Sequence, residues 1–381
     1  MKKLVMTMMI LAALGPAGFG SLSGPAQGED PVPALAQGTS GSPLVGFETG
    51  NTMEVAAVYD RDSYLDNSVV RSGSGMFCYR AGGGATAILA GMAADAVGAR
   101  FSFRTSDAGT SAQIFYFTNG ITTQVYFTLD GKTGRLYARS SQVGLNDGSP
   151  VYGQTVLAND TWYTIRIAYD AAAGGVVKLW LNNVLEIDTT HVLAGLPVTD
   201  ARISGNARAN NYFDDFWIGD SAVEPPLGQI LRLAPDGGLV SWDKSGGYGR
   251  VDEIVPRGGT NEENIHSGVN DVTELYTLQD PAVPAAINAV KAMWQMKRGS
   301  GPASDHRYVW LDGGFLGDSG PLTLPTKGYA TFSKIFEVAP SGAPWDLGRL
   351  AAFEIGARHA AGTQDTYLAW TAVMVDYFQS F

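Results

Sequence analysis

The sequence predicts an all-β protein made of two β-sandwich (jelly-roll) domains in tandem. Short runs of alternating apolar and polar residues, separated by turn residues, recur from about residue 44 onward, and strands of that length and spacing build sandwiches or jelly rolls. The first half shows no sustained helical period. The 381 residues include 48 glycines and 10 % aromatics, which suits many tight turns between half-buried strands. Residues 222–226, Ala-Val-Glu-Pro-Pro, read as a linker that divides the chain.

In chain order, Lys2 and Lys3 precede an apolar run over 4–14. That run is far short of the roughly 20 residues that span a bilayer, so it reads as a secretory signal. Ala26-Gln27-Gly28 is a small-x-small cleavage site, with a cut near Gly20 as the competitor, and residues 1–28 are assigned to the signal peptide. Residues 29–43, rich in Gly, Ser, Ala and Pro, read as a flexible tether. No later segment is apolar enough to span a membrane, so no transmembrane span is expected after cleavage. The expected location is secreted, extracellular or at the cell surface. The formal net charge of −11 argues against nucleic acid and anionic membranes as partners. Cys78 is the single cysteine, which excludes an intramolecular disulfide and reads as an inert thiol on a strand.

The first domain is assigned to residues 44–221. Residues 100–104 put their aromatics on one face, and 112–118 are strongly β-prone. The run over 124–129 meets Asp130-Gly131, a hairpin signal, and 135–139 returns. Residues 162–169 alternate, and 176–181 turn at Asn182-Asn183 into 184–188. The last strand, 212–220, holds the sequence Tyr-Phe-Asp-Asp-Phe-Trp-Ile-Gly-Asp. Strict alternation places Asp214 with Tyr212, Phe216 and Ile218, and Asp215 with Phe213 and Trp217. Whichever face is buried, one carboxylate goes with it, and it needs backbone N–H groups, an arginine or a cation.

The order Gly46-Phe47-Glu48, Val70-Arg71-Ser72-Gly73-Ser74-Gly75, Trp162-Tyr163-Thr164-Ile165, Leu179-Trp180-Leu181-Asn182-Asn183-Val184 and Tyr212-Phe213-Asp214-Asp215 resembles laminin-G-like, concanavalin A-like domains. The resemblance implies two curved antiparallel sheets packed face to face. It also implies binding of glycans or proteins, in some members through calcium.

The second domain is assigned to residues 227–381. Strands are expected at 230–233, 250–255, 273–278, 307–311, 329–336, 354–359 and 367–377. Residues 285–297 are read as a strand from their alternation, and 345–353 as holding one helical turn. Leu227-Gly228-Gln229-Ile230, Pro235-Asp236-Gly237-Gly238, Ser241-Trp242, Arg250-Val251-Asp252-Glu253 and Trp345-Asp346-Leu347 leading to Phe353-Glu354-Ile355-Gly356 resemble a β-domain that follows laminin-G-like domains. That tandem occurs in phage tail-associated proteins and in secreted bacterial proteins. A signal sequence departs from the virion pattern.

Candidate sites follow from chemistry. Asp60, Asp62 and Asp66 lie in an oxygen-rich stretch, Asp-Arg-Asp-Ser-Tyr-Leu-Asp-Asn, and with Asp214 and Asp215 form the candidate calcium ligands. The spacing is not an EF-hand, because Leu65 stands where the glycine belongs and Arg71 where the bidentate glutamate belongs. A solvated acidic loop is the competing reading. Trp242, between Ser241 and Asp243, is expected to be exposed and, with Tyr248, to stack on a sugar. Glu186 and Asp188 share a strand face as glycosidase carboxylates do, but Thr190 stands where the acid belongs. Four histidines, His191, His266, His306 and His359, show no metal-ligand spacing. No nucleophile elbow or phosphate loop is present. The sequence therefore points to an exported, non-catalytic binding or structural protein that recognises a polysaccharide or cell-surface glycan, with self-association open. A phage virion or tail-associated structural protein is the alternative, and a glycoside hydrolase-like enzyme the third.

Overall fold

The computed structural model describes residues 36–37, 44–45, 57–59, 64–66, 69, 71, 78–81, 86–120, 123–139, 149–171, 176–190, 197–206, 208–219, 224–239, 242, 248–251, 265–280, 286–302 and 304–378. The first half contains β1 (Ala36–Gln37), β2 (Leu44–Val45), β3 (Ala57–Tyr59), β4 (Tyr64–Asp66), β5 (Cys78–Ala81), β6 (Thr86–Ala94), β7 (Ala96–Thr105) and β8 (Ala112–Thr118). It continues with β9 (Thr123–Asp130), β10 (Arg135–Arg139), β11 (Val151–Val156), β12 (Tyr163–Asp170), β13 (Val176–Leu181), β14 (Val184–Thr190), β15 (Val198–Ser204) and β16 (Asn211–Gly219). The second half contains β17 (Gln229–Leu233), β18 (Pro235–Leu239), β19 (Ile265–Ser267), β20 (Val272–Leu278) and β21 (Ala286–Arg298). After these come β22 (Asp305–Asp312), β23 (Phe315–Asp318), β24 (Ala330–Phe336), the one-turn helix α1 (Leu347–Ala351), β25 (Glu354–Ala361) and β26 (Thr366–Phe378).

These strands form four sheets. Sheet I has the order β11-β10-β9-β8-β15-β6-β3, and sheet II the order β14-β13-β12-β7-β16-β5-β4 with β2 on β16. Sheet III runs β1-β24-β21-β26-β17 with β19 on β26, and sheet IV runs β18-β20-β25-β22-β23. The chain is an all-β protein of sandwich architecture.

Alternation explains the first core. Val97, Ala99, Phe101 and Phe103 of β7 point inward, as do Ile165, Ile167 and Tyr169 of β12 and Val125, Phe127 and Leu129 of β9. Phe101 of sheet II stacks on Phe115 of sheet I at 5.0 Å and on Phe216 at 5.1 Å, so aromatic contacts tie the layers. The β13–β14 hairpin turns through Asn182 and Asn183, both at positive φ (46° and 73°), a conformation asparagine tolerates in two-residue hairpin loops. The second core lies between sheets III and IV, where Trp294 of β21 stacks on Tyr308 of β22 at 4.2 Å. Strand β21 matches the strand read over 285–297, of which residue 285 lies outside the described residues. Its Val290, Ala292, Trp294 and Met296 face this core, while Ala289 and Met293 belong to a third apolar cluster.

That third cluster lies on the outer face of sheet III, with Ile230, Trp370, Ala372 and Met374, and Trp217 of sheet II packs against it. Arg100 of β7 meets Asp376 of β26 there in a fully buried ion pair, at 2.7 and 3.3 Å. The outer face of sheet II is thus closed by sheet III, giving the layer order I–II–III–IV. Residues 33–381 form one compact unit.

Three expectations are corrected. Residues 250–255 were expected to form a strand, but Arg250 closes a 3-10 turn over Tyr248–Arg250, where two glycines flank Tyr248 at short range; residues 252–255 lie outside the described residues. The 29–43 tether contains β1, which pairs in parallel with Phe332 and Ser333 of β24. Strict alternation over 212–218 fails, because Asp215 adopts φ 57° and the register with β7 shifts between Asp214 and Trp217. This bulge turns both Phe213 and Phe216 into the core and leaves both aspartates fully buried.

Candidate functional site

Among the described residues, the sheet whose outer face is not closed by the second half of the chain is sheet I. On its strands, Phe115, Phe117, Val125, Phe127, Leu136, Ala138, Ala201 and Ile203 point into the core. The intervening side chains therefore point outward. Strand register aligns these outward residues into rows. Arg202 of β15 lies opposite Tyr116 of β8, Tyr116 opposite Tyr126 of β9, and Tyr126 opposite Arg139 of β10. A second row runs Gln113, Thr128, Tyr137 and Tyr152 across β8, β9, β10 and β11. At about 4.8 Å between strands, a row of four spans about 14 Å, the length of a short oligosaccharide.

The face is half-buried rather than bare. Tyr137 and Tyr152 pack at 5.2 Å with rings inclined by 52°. Tyr152 is 38 % exposed. Arg202 is held by Asp200 at 3.1 Å and by the Tyr116 hydroxyl. Arg139 is exposed and has no ion-pair partner among the described residues. Burial pushes the Tyr126 phenol up, with Arg139 opposing and Tyr137 adding to the shift. Burial and then Asp130 push Tyr152 up. Both phenols stay protonated at neutral pH, so the face offers neutral hydroxyls, flat rings and two guanidinium groups.

The residues singled out from sequence fall elsewhere. Asp60 and Asp62 lie outside the described residues, as does the side chain of Asp66, which is on β4. Asp215 accepts from Arg71 Nη1 at 2.7 Å, from Ser102 Oγ at 2.8 Å and from the Ile230 N–H at 2.8 Å. Asp214 accepts from the Asp215 N–H at 2.8 Å. An arginine and backbone N–H groups thus occupy these carboxylates. Among the described residues no three metal-ligating side chains gather. Trp242 is corrected: it is 3 % exposed and joins the second core. Its backbone N–H donates to the buried Glu274 carboxylate at 3.0 Å, and its indole N–H is directed at the Val272 carbonyl at 3.4 Å. Polar sequence neighbours hid this burial, because the covering comes from β20. Tyr248 opens the 3-10 turn, and its side chain lies outside the described residues.

Glu186 is a fastener rather than an acid. It accepts from the N–H groups of Gln154 and Thr155 and from Thr155 Oγ1, so it ties β14 to β11 across the two sheets. Burial works to raise its pKa, but the Thr155 and Gln154 hydrogen bonds outweigh it and hold the carboxyl below its usual range. Asp188 lies 3.6 Å from Lys178. The tyrosine rows were missed from sequence. Alternation in 124–129 and 135–139 marks Tyr126 and Tyr137 as outward, whereas Tyr116 turns outward through a register shift on β8 that puts both Ile114 and Phe115 in the core, and only the strand order sets the three side by side.

No protein-family profile and no curated protein matches the chain. Among solved structures, similarity is found to "Cellulose induced protein, Cip1", at 14 % identity and a TM-score of 0.38, covering 48 % of this chain and 99 % of that one. It is also found to an endo-beta-1,4-glucuronan lyase from the fungus Trichoderma reesei, at 12 % identity and a TM-score of 0.35, covering 47 % and 97 %. A third is the carbohydrate recognition domain of Emp46p in its metal-free form, at 16 % identity and a TM-score of 0.29, covering 42 % and 89 %.

Proposed function

We propose that this protein is an exported, non-catalytic polysaccharide-binding protein whose ligand lies across the strands on the outer face of sheet I. The observation that carries the reading is the Arg202–Tyr116–Tyr126–Arg139 row, on the sandwich face left open when sheet III covers sheet II. Sugars present C–H faces that pack on aromatic rings and hydroxyls that pair with phenols and guanidinium groups. Binding is favoured over catalysis because the Tyr126 and Tyr152 phenols are held protonated and Glu186 is occupied by β11. Export rests on Lys2, Lys3 and the apolar run over 4–14.

The test is a polysaccharide-binding screen of the full chain, with calcium and with chelator, followed by titration of Y126A. The platform predicts binding indifferent to chelation, and about fivefold or greater weakening in Y126A, since a well-packed tyrosine contributes more than about 1 kcal/mol at an interface. Binding lost on chelation would move the site to the Asp60–Asp66 region. No binding by a folded protein, together with a stable self-assembled oligomer, would favour the tail-associated structural reading instead.

A further inference from the structure

Two histidines far apart in sequence meet inside the second sandwich. His306 on β22 pairs with His359 on β25, both are fully buried, and their rings lie 5.7 Å apart. Both Nδ1 atoms converge on one hydroxyl, Thr366 Oγ1 of β26, at 2.6 and 3.0 Å. Strands β22 and β25 belong to sheet IV and β26 to sheet III, so this contact joins the two layers. Neither Nε2 has a hydrogen-bond partner among the described residues. We propose that the His306–Thr366–His359 contact is an acid-sensitive latch, closing the two sheets of the second sandwich while the buried His306 is neutral and releasing them on its protonation.

A threonine hydroxyl has one proton and two lone pairs. With neutral rings the two bonds are complementary: Thr366 donates to one Nδ1 and accepts from the Nδ1–H of the other ring. A proton on His306 makes its Nδ1 a donor to Thr366, whose hydroxyl can still donate to the other Nδ1, so the cost is the positive charge placed in a fully buried site. The neighbouring charges are mixed. Asp305 and Arg307 flank His306 on its own strand, Arg358 adjoins His359, Arg298 ends β21 opposite Thr366, and Asp365 pairs with His266 of β19. Arg307 is engaged by Asp305 and Asp318, and Arg358 by Asp271. Burial, then His359 and Arg298, push His306 down to about 4, with Asp305 opposing.

The sign follows from linkage. His306 is depressed in the folded state, so the unfolded chain binds more protons between about pH 6.5 and 4. The latch's contribution is complete above about pH 6.5 and is lost as pH falls toward 4. In urea unfolding of the full chain, the folded-to-unfolded ratio of wild type should fall about sixtyfold more than that of H306Q between pH 7 and 4.5. An equal fall in both proteins would overturn the proposal. Should H306Q not fold, an NMR titration of wild-type histidine side chains decides: His306 should remain neutral at pH 5.5, and titration near 6.5 would overturn the latch. Hydrogen exchange adds a spatial readout. Protection in β22 and β25 should drop below pH 5 in wild type but not in H306Q, and an equal drop in both proteins would count against the latch.

Discussion

Asp215 shows how one residue can reconcile a strand with a buried charge. Its left-handed φ of 57° breaks the alternation of β16, and its carboxylate gathers three donors from three parts of the chain: Arg71, Ser102 and the Ile230 N–H. The first two fasten the outer face of sheet II, and the third reaches the first strand of the second half. Replacing the carboxylate removes the acidic contact of Arg71, which is 19 % exposed and keeps its hydrogen bonds to Ser102 and Thr164, and orphans a buried N–H. D215A is expected to destabilise the protein by about 3 kcal/mol or more. D215G should be milder than D215A by about 1 kcal/mol, because glycine accepts the left-handed backbone. Urea denaturation of the two variants separates these effects: equal losses would mean the backbone conformation costs nothing, and a loss below about 1 kcal/mol in both would mean the three donors find water instead.

At the scale of the element, legibility tracks how burial is distributed. Strand β10, buried on one face, begins and ends where alternation in the sequence begins and ends. Strand β21 was harder, since apolar contacts on both faces blur the two-residue period that separates strand from helix. The binding face was the least legible. Tyr126 and Tyr137 can be read as outward strand by strand, but the row Tyr116–Tyr126–Arg139 exists only once β8, β9 and β10 are neighbours in register. Trp242 failed for the same reason, since its N–H groups meet Glu274 and Val272 of β20, some thirty residues away in sequence. Strand β11, at the edge of sheet I, depends on β10 for its ladder and on Glu186 for its outer N–H groups. E186A should therefore release the Gln154 and Thr155 amides to fast hydrogen exchange while shifting the global urea midpoint little, because the site is near solvent. Unchanged protection at both amides would show that β10 alone holds the edge. Since Tyr152 sits on β11, polysaccharide binding should weaken in the same variant.

The whole molecule is decided at the junction between sheets II and III. Residues 222–226 look like a linker in sequence, yet Pro225 and Pro226 give their carbonyls to Arg166 and Arg100 at 3.0 and 3.2 Å. Arg100 and Asp376 are both fully buried, and Asn288 adds a contact to the same carboxylate at 3.4 Å. Burial works to raise the Asp376 carboxyl, and Arg100 and Asn288 oppose it. A Cβ on Gly228 would come within 2.4 Å of both Arg100 and Asp376, so a larger residue here would have to displace the ion pair. Such a junction couples the two sandwiches, which should unfold in one calorimetric transition although each has its own core. Breaking the pair from one side, as in D376L, strands a buried guanidinium and should cost about 3–5 kcal/mol, splitting the transition in two. The double replacement R100M/D376L removes both charges while keeping apolar bulk at the junction, and should recover most of that loss. If D376L instead unfolds in a single transition at the wild-type temperature, the ion pair is not what joins the halves, and the apolar cluster around Met293 and Trp370 carries the coupling alone.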